Sequence, residues 1–207
     1  EQYGGDGYPC FMEVPSDNTW DRNTTMDGGA YASFDNFNVD PTNAQLERTW
    51  IACYDGIQRC NIVITRLSNN DGNISEDFKN RKLGEAYFLR ALTYFNMVRM
   101  WGDIPLITEE VTNVNDAFNH TRTSTEEIYQ QIIADLQFAS DNLPASYDNA
   151  NIGRATKGAS QTLLAKVYLT RHDWQSCLTL LNTVISSQQY RLLDNFADVF
   201  AVTNKNN

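Results

Sequence analysis

Basic residues, cysteines, histidines and long apolar runs are all scarce in this chain, and each shortage closes off a class of function. Sixteen Lys and Arg stand against 26 Asp and Glu, a formal charge of −10 over 207 residues. A nucleic-acid groove needs cations to neutralise phosphates, and a polybasic membrane surface needs them for anionic lipid, so the charge argues against both. No stretch approaches the roughly 18 apolar residues that a membrane-spanning helix requires. The opening EQYGGDGYPC has neither a basic start nor an apolar core, so no signal peptide is read in it. Four cysteines are too few for a disulfide scaffold. Cys53 and Cys60 share a helix face but stand roughly 10 Å apart along the axis, beyond bridging reach, and are expected as buried thiols. Two isolated histidines and no C-x-x-C leave no zinc site, and no other metal or cofactor is expected.

What is present is a long acidic leader and then helix after helix. Residues 1–43 carry eight acids and one base, with five glycines and a scatter of aromatic rings. No helical period runs through them, so they read as an irregular segment, with a hairpin near Asp27-Gly28. From Asp40-Pro41, read as a helix start, the pattern changes. Leu46, Trp50, Cys53, Ile57, Cys60, Ile64 and Leu67 fall on one stripe. The run SNNDGN (68–73) ends it. Ser75 opens a second helix through Phe78, Leu83, Ala86, Leu89 and Val98, stopped by Gly102-Asp103-Ile104-Pro105. Ser124-Thr125-Glu126-Glu127 is a capping box for a third, with Ile128, Ile132, Leu136, Ala139 and Leu143 inward. Thr156 opens a fourth and Asp173 a fifth. The fold class is all-α.

An internal echo aligns LRALTYF (89–95) with LLAKVYL (163–169), matching Ala91 to Ala165 and Tyr94 to Tyr168. The offset is about two helix-pair repeats of the tetratricopeptide kind. Leu164, Ala165, Tyr168, Trp174, Cys177 and Leu181 occupy that repeat's large and small positions, which predicts antiparallel helix pairs stacked into a rigid support. Three domains are expected: 1–43, irregular; 44–187, the tetratricopeptide-like helices; and 188–207, the start of a further portion.

Four ordered blocks resemble one family. TWIACYDGIQRCNIVITRL (49–67) is similar to the W-x-x-x-Y-x-x-I-x-x-x-N helix of SusD/RagB proteins. GEAYFLRALTYFNMVRMWGDIPLI (84–107), RTSTEEIYQQIIADLQFASDNLP (122–144) and GRATKGASQTLLAKVYLTRHDW (153–174) resemble its next blocks. The resemblance implies a non-enzymatic outer-membrane lipoprotein on the cell surface. Such a protein binds glycans and caps a SusC-like TonB-dependent transporter. It also implies a longer full-length protein, whose lipid anchor and irregular second half lie outside these residues. In the family, polypeptide ahead of the tryptophan-bearing helix supplies part of the sugar site. Trp20, Tyr31, Phe34 and Phe37 are therefore the candidate stacking platforms, and Asp17, Asn18, Arg22 and Asn38 the candidate hydrogen-bonding groups. Aromatic rings suit the C–H faces of sugars, and polar side chains suit their hydroxyls. The alternatives are a helical-repeat interaction scaffold, or a peptide-uptake protein, with no sugar site in these residues.

Other motifs read as structure. The Gly84–Ile107 block packs helices, with Arg90 and Arg99 expected to pair with acids or cap carbonyls. Gly153-Arg154-Ala155-Thr156-Lys157 has one glycine before its lysine and is no phosphate loop. SNNDGN places Leu67 and Phe78 where a calcium loop needs carboxylates, so it is a turn. His120 and His172 have no nucleophile beside them, and nothing among the acids selects a catalytic pair.

Overall fold

The computed structural model describes residues 7–16, 18–19, 28–70, 72 and 74–201. In chain order these form α1 (Tyr8–Met12), α2 (Ala30–Asp35), α3 (Ala44–Ser68), α4 (Glu76–Trp101) and β1 (Ile104–Pro105). Then come α5 (Val114–Ala117), β2 (Arg122–Thr123), α6 (Thr125–Asn142), α7 (Lys157–Thr170), α8 (Trp174–Ser186) and a 3₁₀ turn at Phe196–Phe200. Among the described residues the fold is all-α apart from one short antiparallel pairing, Ile104 with Thr123 and Pro105 with Arg122. Two compact units divide within α3, Glu1–Arg59 and Cys60–Asn207. The sequence reading instead places its first boundary at 43/44, where composition changes.

The first unit is less irregular than the sequence suggests. Its described leader residues contain α1 and α2, and the turn at Gly28-Gly29 feeds a helix rather than a second strand. Both glycines have left-handed backbone (φ 70° and 81°), and Gly29 sits at the N-cap of α2. Asp27 lies outside the described residues. The start of α3 also moves. Asp40 accepts hydrogen bonds from the Thr42 N–H (2.8 Å) and hydroxyl (2.6 Å), closing a local turn. Asn43 then does the capping, accepting from the Gln45 N–H at 2.8 Å.

The second unit is a succession of packed helices: α4 on α6, α6 on α7 and α7 on α8. Side-chain caps start each where the sequence places them. Ser75 accepts from the Phe78 N–H, Thr156 from the Ala159 N–H and Asp173 from the Ser176 N–H. Ser124 accepts from the Glu127 N–H, and its hydroxyl donates to the Glu127 carboxylate at 2.6 Å. The α6 stripe is fully inside, with Ile128, Ile132, Leu136, Ala139 and Leu143 all buried.

The helix α4 departs from a simple stripe. Phe78 and Leu89, expected inward, are exposed. Residues Ala91 and Thr93–Val98 are instead buried nearly all round. The physical reason is position: α4 packs against α6, α7 and β1, and its Leu83 and Ala86 join Cys60 and Ile64 in one apolar cluster. A helix enclosed on several sides buries more than one face. The α8 helix departs in the opposite direction, leaving Trp174 and Leu181 exposed.

A polar knot lies inside this unit. Arg90 donates to both Asp135 oxygens at 2.8 Å, and to Asn61 Oδ1 and the Thr108 carbonyl at 2.8 Å each. Asn61 donates to the Ile107 and Glu109 carbonyls. The Tyr94 hydroxyl donates to the Ile107 carbonyl and accepts its N–H. Burial raises the Tyr94 phenol far above its ordinary range, so it stays neutral and can do both. Together these groups satisfy the backbone of the connector leaving β1.

Candidate functional site

The leader is built from short pieces held by their own polar groups. After α1 the chain turns back through Ser16, whose hydroxyl donates to the Glu13 carbonyl (2.6 Å) and accepts from the Asn18 N–H. The Thr19 hydroxyl reaches the same Glu13 carbonyl. Asn18 is exposed on this turn. Asn43 ties α2 to the start of α3, donating to the Ala30 carbonyl (2.9 Å) and the Ser33 hydroxyl (2.8 Å). The sequence reading missed Asn43; its place just before an apolar helical stripe was the available signal.

The four predicted platforms do not behave alike. Phe34 is buried, only 5% exposed, with its ring edge-on to Phe11 at 5.1 Å. It is a core ring as placed and offers no free face. Tyr31 is half-buried. Phe37 is 79% exposed. Trp20, like Asp17 and Arg22, lies outside the described residues.

Phe37 owes its exposure to the end of α2. The Asn38 N–H reaches the Ser33 carbonyl at 2.8 Å, and the Phe37 N–H reaches the Phe34 carbonyl at 3.2 Å. This is a Schellman ending, whose turning residue is normally glycine. Phe37 takes that left-handed place with φ 54°. A side chain there costs on the order of 1 kcal/mol relative to glycine. Asn38, the next residue in the chain, is also exposed. Of the predicted residues, Phe37 and Asn38 are thus exposed in succession, and Phe34 is buried.

Thr42 holds the Asp40 carboxyl below its ordinary range through two hydrogen bonds, keeping it ionised as a turn-former. His172 occupies the left-handed residue ending α7 (φ 64°), its ring 5.2 Å from that of Trp174. Among the described residues no three His, Cys, Asp or Glu gather as a metal site, and no helix is long and apolar enough to cross a membrane.

The packed helices of the second unit define a tetratricopeptide-like, all-α scaffold. Residues 8–169 match the SusD-like family model, described as starch-binding and associating with the outer membrane, and the chain belongs to that family. It is 34% identical to SusD-like protein P25 of Formosa agariphila over 169 residues, covering 82% of this chain and 32% of that one. The solved structure of a laminarin-binding SusD-like protein is 35% identical and superposes with a TM-score of 0.79, over 87% of this chain and 40% of the other. A structure solved with a xylogluco-oligosaccharide is 31% identical with a TM-score of 0.75, covering 86% and 37%. The chain spans about a third of the length of the curated relatives it matches.

Proposed function

We propose that this chain belongs to a cell-surface glycan-binding protein that holds an oligosaccharide without cleaving it and passes it to a TonB-dependent outer-membrane transporter. The full protein is then lipid-anchored in the outer membrane. The observation that carries the reading is Phe37, an exposed ring held on strained left-handed backbone and followed in the chain by the exposed Asn38. Backbone strain that persists under an outward aromatic is a mark of a surface built to touch something. Ring and carboxamide together match the C–H face and hydroxyl rim of a sugar. Trp20, Tyr31, Asp17, Asn18 and Arg22 complete the proposed ligand face. The relatives named for laminarin and crystallised with xylogluco-oligosaccharide support a glucan ligand.

Calorimetry with laminarin-derived and xyloglucan-derived oligosaccharides tests this. Phe37→Ala and Trp20→Ala should each weaken binding about fivefold or more, from the loss of one ring contact of order 1 kcal/mol. Undiminished affinity in both variants overturns the proposed face, and release of shortened sugars overturns the non-enzymatic reading.

The interaction-scaffold alternative has one observation in its favour, the exposed apolar stripe of α8 described in the Discussion. Absence of any glycan binding by the full-length protein would leave that alternative standing.

A further inference from the structure

A concave surface lies within the second unit. It is a cleft of about 560 Å³ between the first turns of α4 and the last turn of α6, lined by Ser75, Asp77, Phe78, Arg81, Asp141 and Asn142, with Leu143 and Pro144 as an apolar wall. Its volume falls within the range of small-molecule clefts, about 300–1,000 Å³.

The fold uses the polar groups of this cleft only in part: the Ser75 hydroxyl caps α4 and Asp141 accepts from the Gln137 amide at 3.2 Å, and the remaining capacity faces the cleft. The Arg81 Nε is shielded from solvent and has no hydrogen-bond partner among the described residues. Among the described residues the guanidinium forms no hydrogen bond or ion pair at all, so its terminal nitrogens remain to donate to a ligand in the cleft. Asp77 and Asp141 both line the cleft, yet neither forms an ion pair with Arg81 within 4 Å among the described residues. Asn142 donates to the Phe138 carbonyl at 2.8 Å, which leaves its side-chain oxygen to accept. Phe78 is 42% exposed, with the Arg81 and Lys82 cations 5.6 and 5.7 Å from its ring centre. The cations anchor one aromatic that the core does not enclose.

We propose that this cleft is a second binding site, for a neutral, hydroxyl-rich sugar. The ring meets a C–H face, Arg81 donates to hydroxyl oxygens, and Asp77, Asp141 and Asn142 accept from hydroxyl hydrogens. Two carboxylates against one unpaired guanidinium disfavour an acidic sugar, because like charges repel. The inference rests on the glycan-binding reading but uses residues remote in sequence from the leader.

Amide chemical shifts of the full chain, titrated with laminarihexaose, separate the two sites. Saturable shifts at residues 77–81 and 141–143, weakened about fivefold or more by Arg81→Gln or Phe78→Ala, are the expected result. Thermal melting checks that each variant folds. Shifts confined to the leader overturn the cleft and leave the proposed function intact. Shifts in the cleft alone support it and remove the leader as the binding face. Cleft shifts unchanged by both variants, or no shifts at all, overturn it. An oligoglucuronate that binds the cleft as tightly as laminarihexaose overturns the assignment of a neutral ligand.

Discussion

The Arg90–Asp135 pair is the residue-scale feature on which the second unit depends most. Both side chains are within 2% of complete burial, and Arg90 spends its remaining donors on Asn61 and the Thr108 carbonyl. Removing one member of such a pair strands the other charge in a low-dielectric interior, which costs about 3–5 kcal/mol. Asp135→Ala should lose about that much in urea unfolding. The double variant Arg90→Met with Asp135→Leu should recover a good part of it, because neither charge is then stranded. The cysteines make a second prediction. All four are buried, and burial pushes the Cys60 thiol up to about 11. At pH 8 about a thousandth of such a thiol is thiolate, the reactive form. Native protein should therefore react slowly with Ellman's reagent at pH 8, and denatured protein should show four fast equivalents. Rapid labelling of Cys60 in the native state would contradict this packing.

Close approach is the theme at the scale of elements. A Cβ built on Gly84 would stand 3.2 Å from two carbons of the buried Leu143 side chain, at the end of α6. A branched side chain at 84 must displace Leu143, so Gly84→Val should destabilise by about 1–3 kcal/mol in thermal or urea unfolding, despite removing a helical glycine. Gly158 differs in outcome. Its Cβ would overlap the Tyr190 ring at 2.4 Å, but that ring is half exposed and held by one hydrogen bond, 2.8 Å to Thr156. Gly158→Ala should be near neutral in stability while releasing Tyr190, seen as a change in tyrosine fluorescence. The glycine of the G-E-A block was legible in the sequence as a packing position. The Tyr190 contact was not, because it joins residues 32 apart across a segment with no period.

The exposed face of α8 matters for the whole molecule. Trp174, Leu178, Leu181 and Ile185 lie at helical spacing, with Trp174 59% and Ile185 72% exposed. Farther along the chain, Leu192, Phe196, Val199 and Phe200 are exposed too. Apolar stripes of this kind mark interaction surfaces or association liabilities. This 207-residue chain should self-associate at high micromolar concentration in analytical ultracentrifugation. Leu178→Glu with Ile185→Glu should render it monomeric without loss of helicity. A monomeric parent chain would show that the stripe is not adhesive.

The sequence by itself determined the class, the five long helices and the caps of four of them, because a 3.6-residue period and a Ser, Thr or Asp before a helix are local signals. It also determined the family, because the four ordered blocks carry those same local choices. Tertiary structure alone decided which candidate rings face outward. Phe34 and Phe37 are three residues apart in similar surroundings, yet one meets Phe11 and the other is turned out by a left-handed residue. It alone decided that α4 is enclosed on several sides and α8 is not, since enclosure depends on which elements arrive beside a helix. The partners of Arg90 were likewise set by folding: Asp135 and Asn61 lie 45 and 29 residues away, and no local pattern records such a pairing.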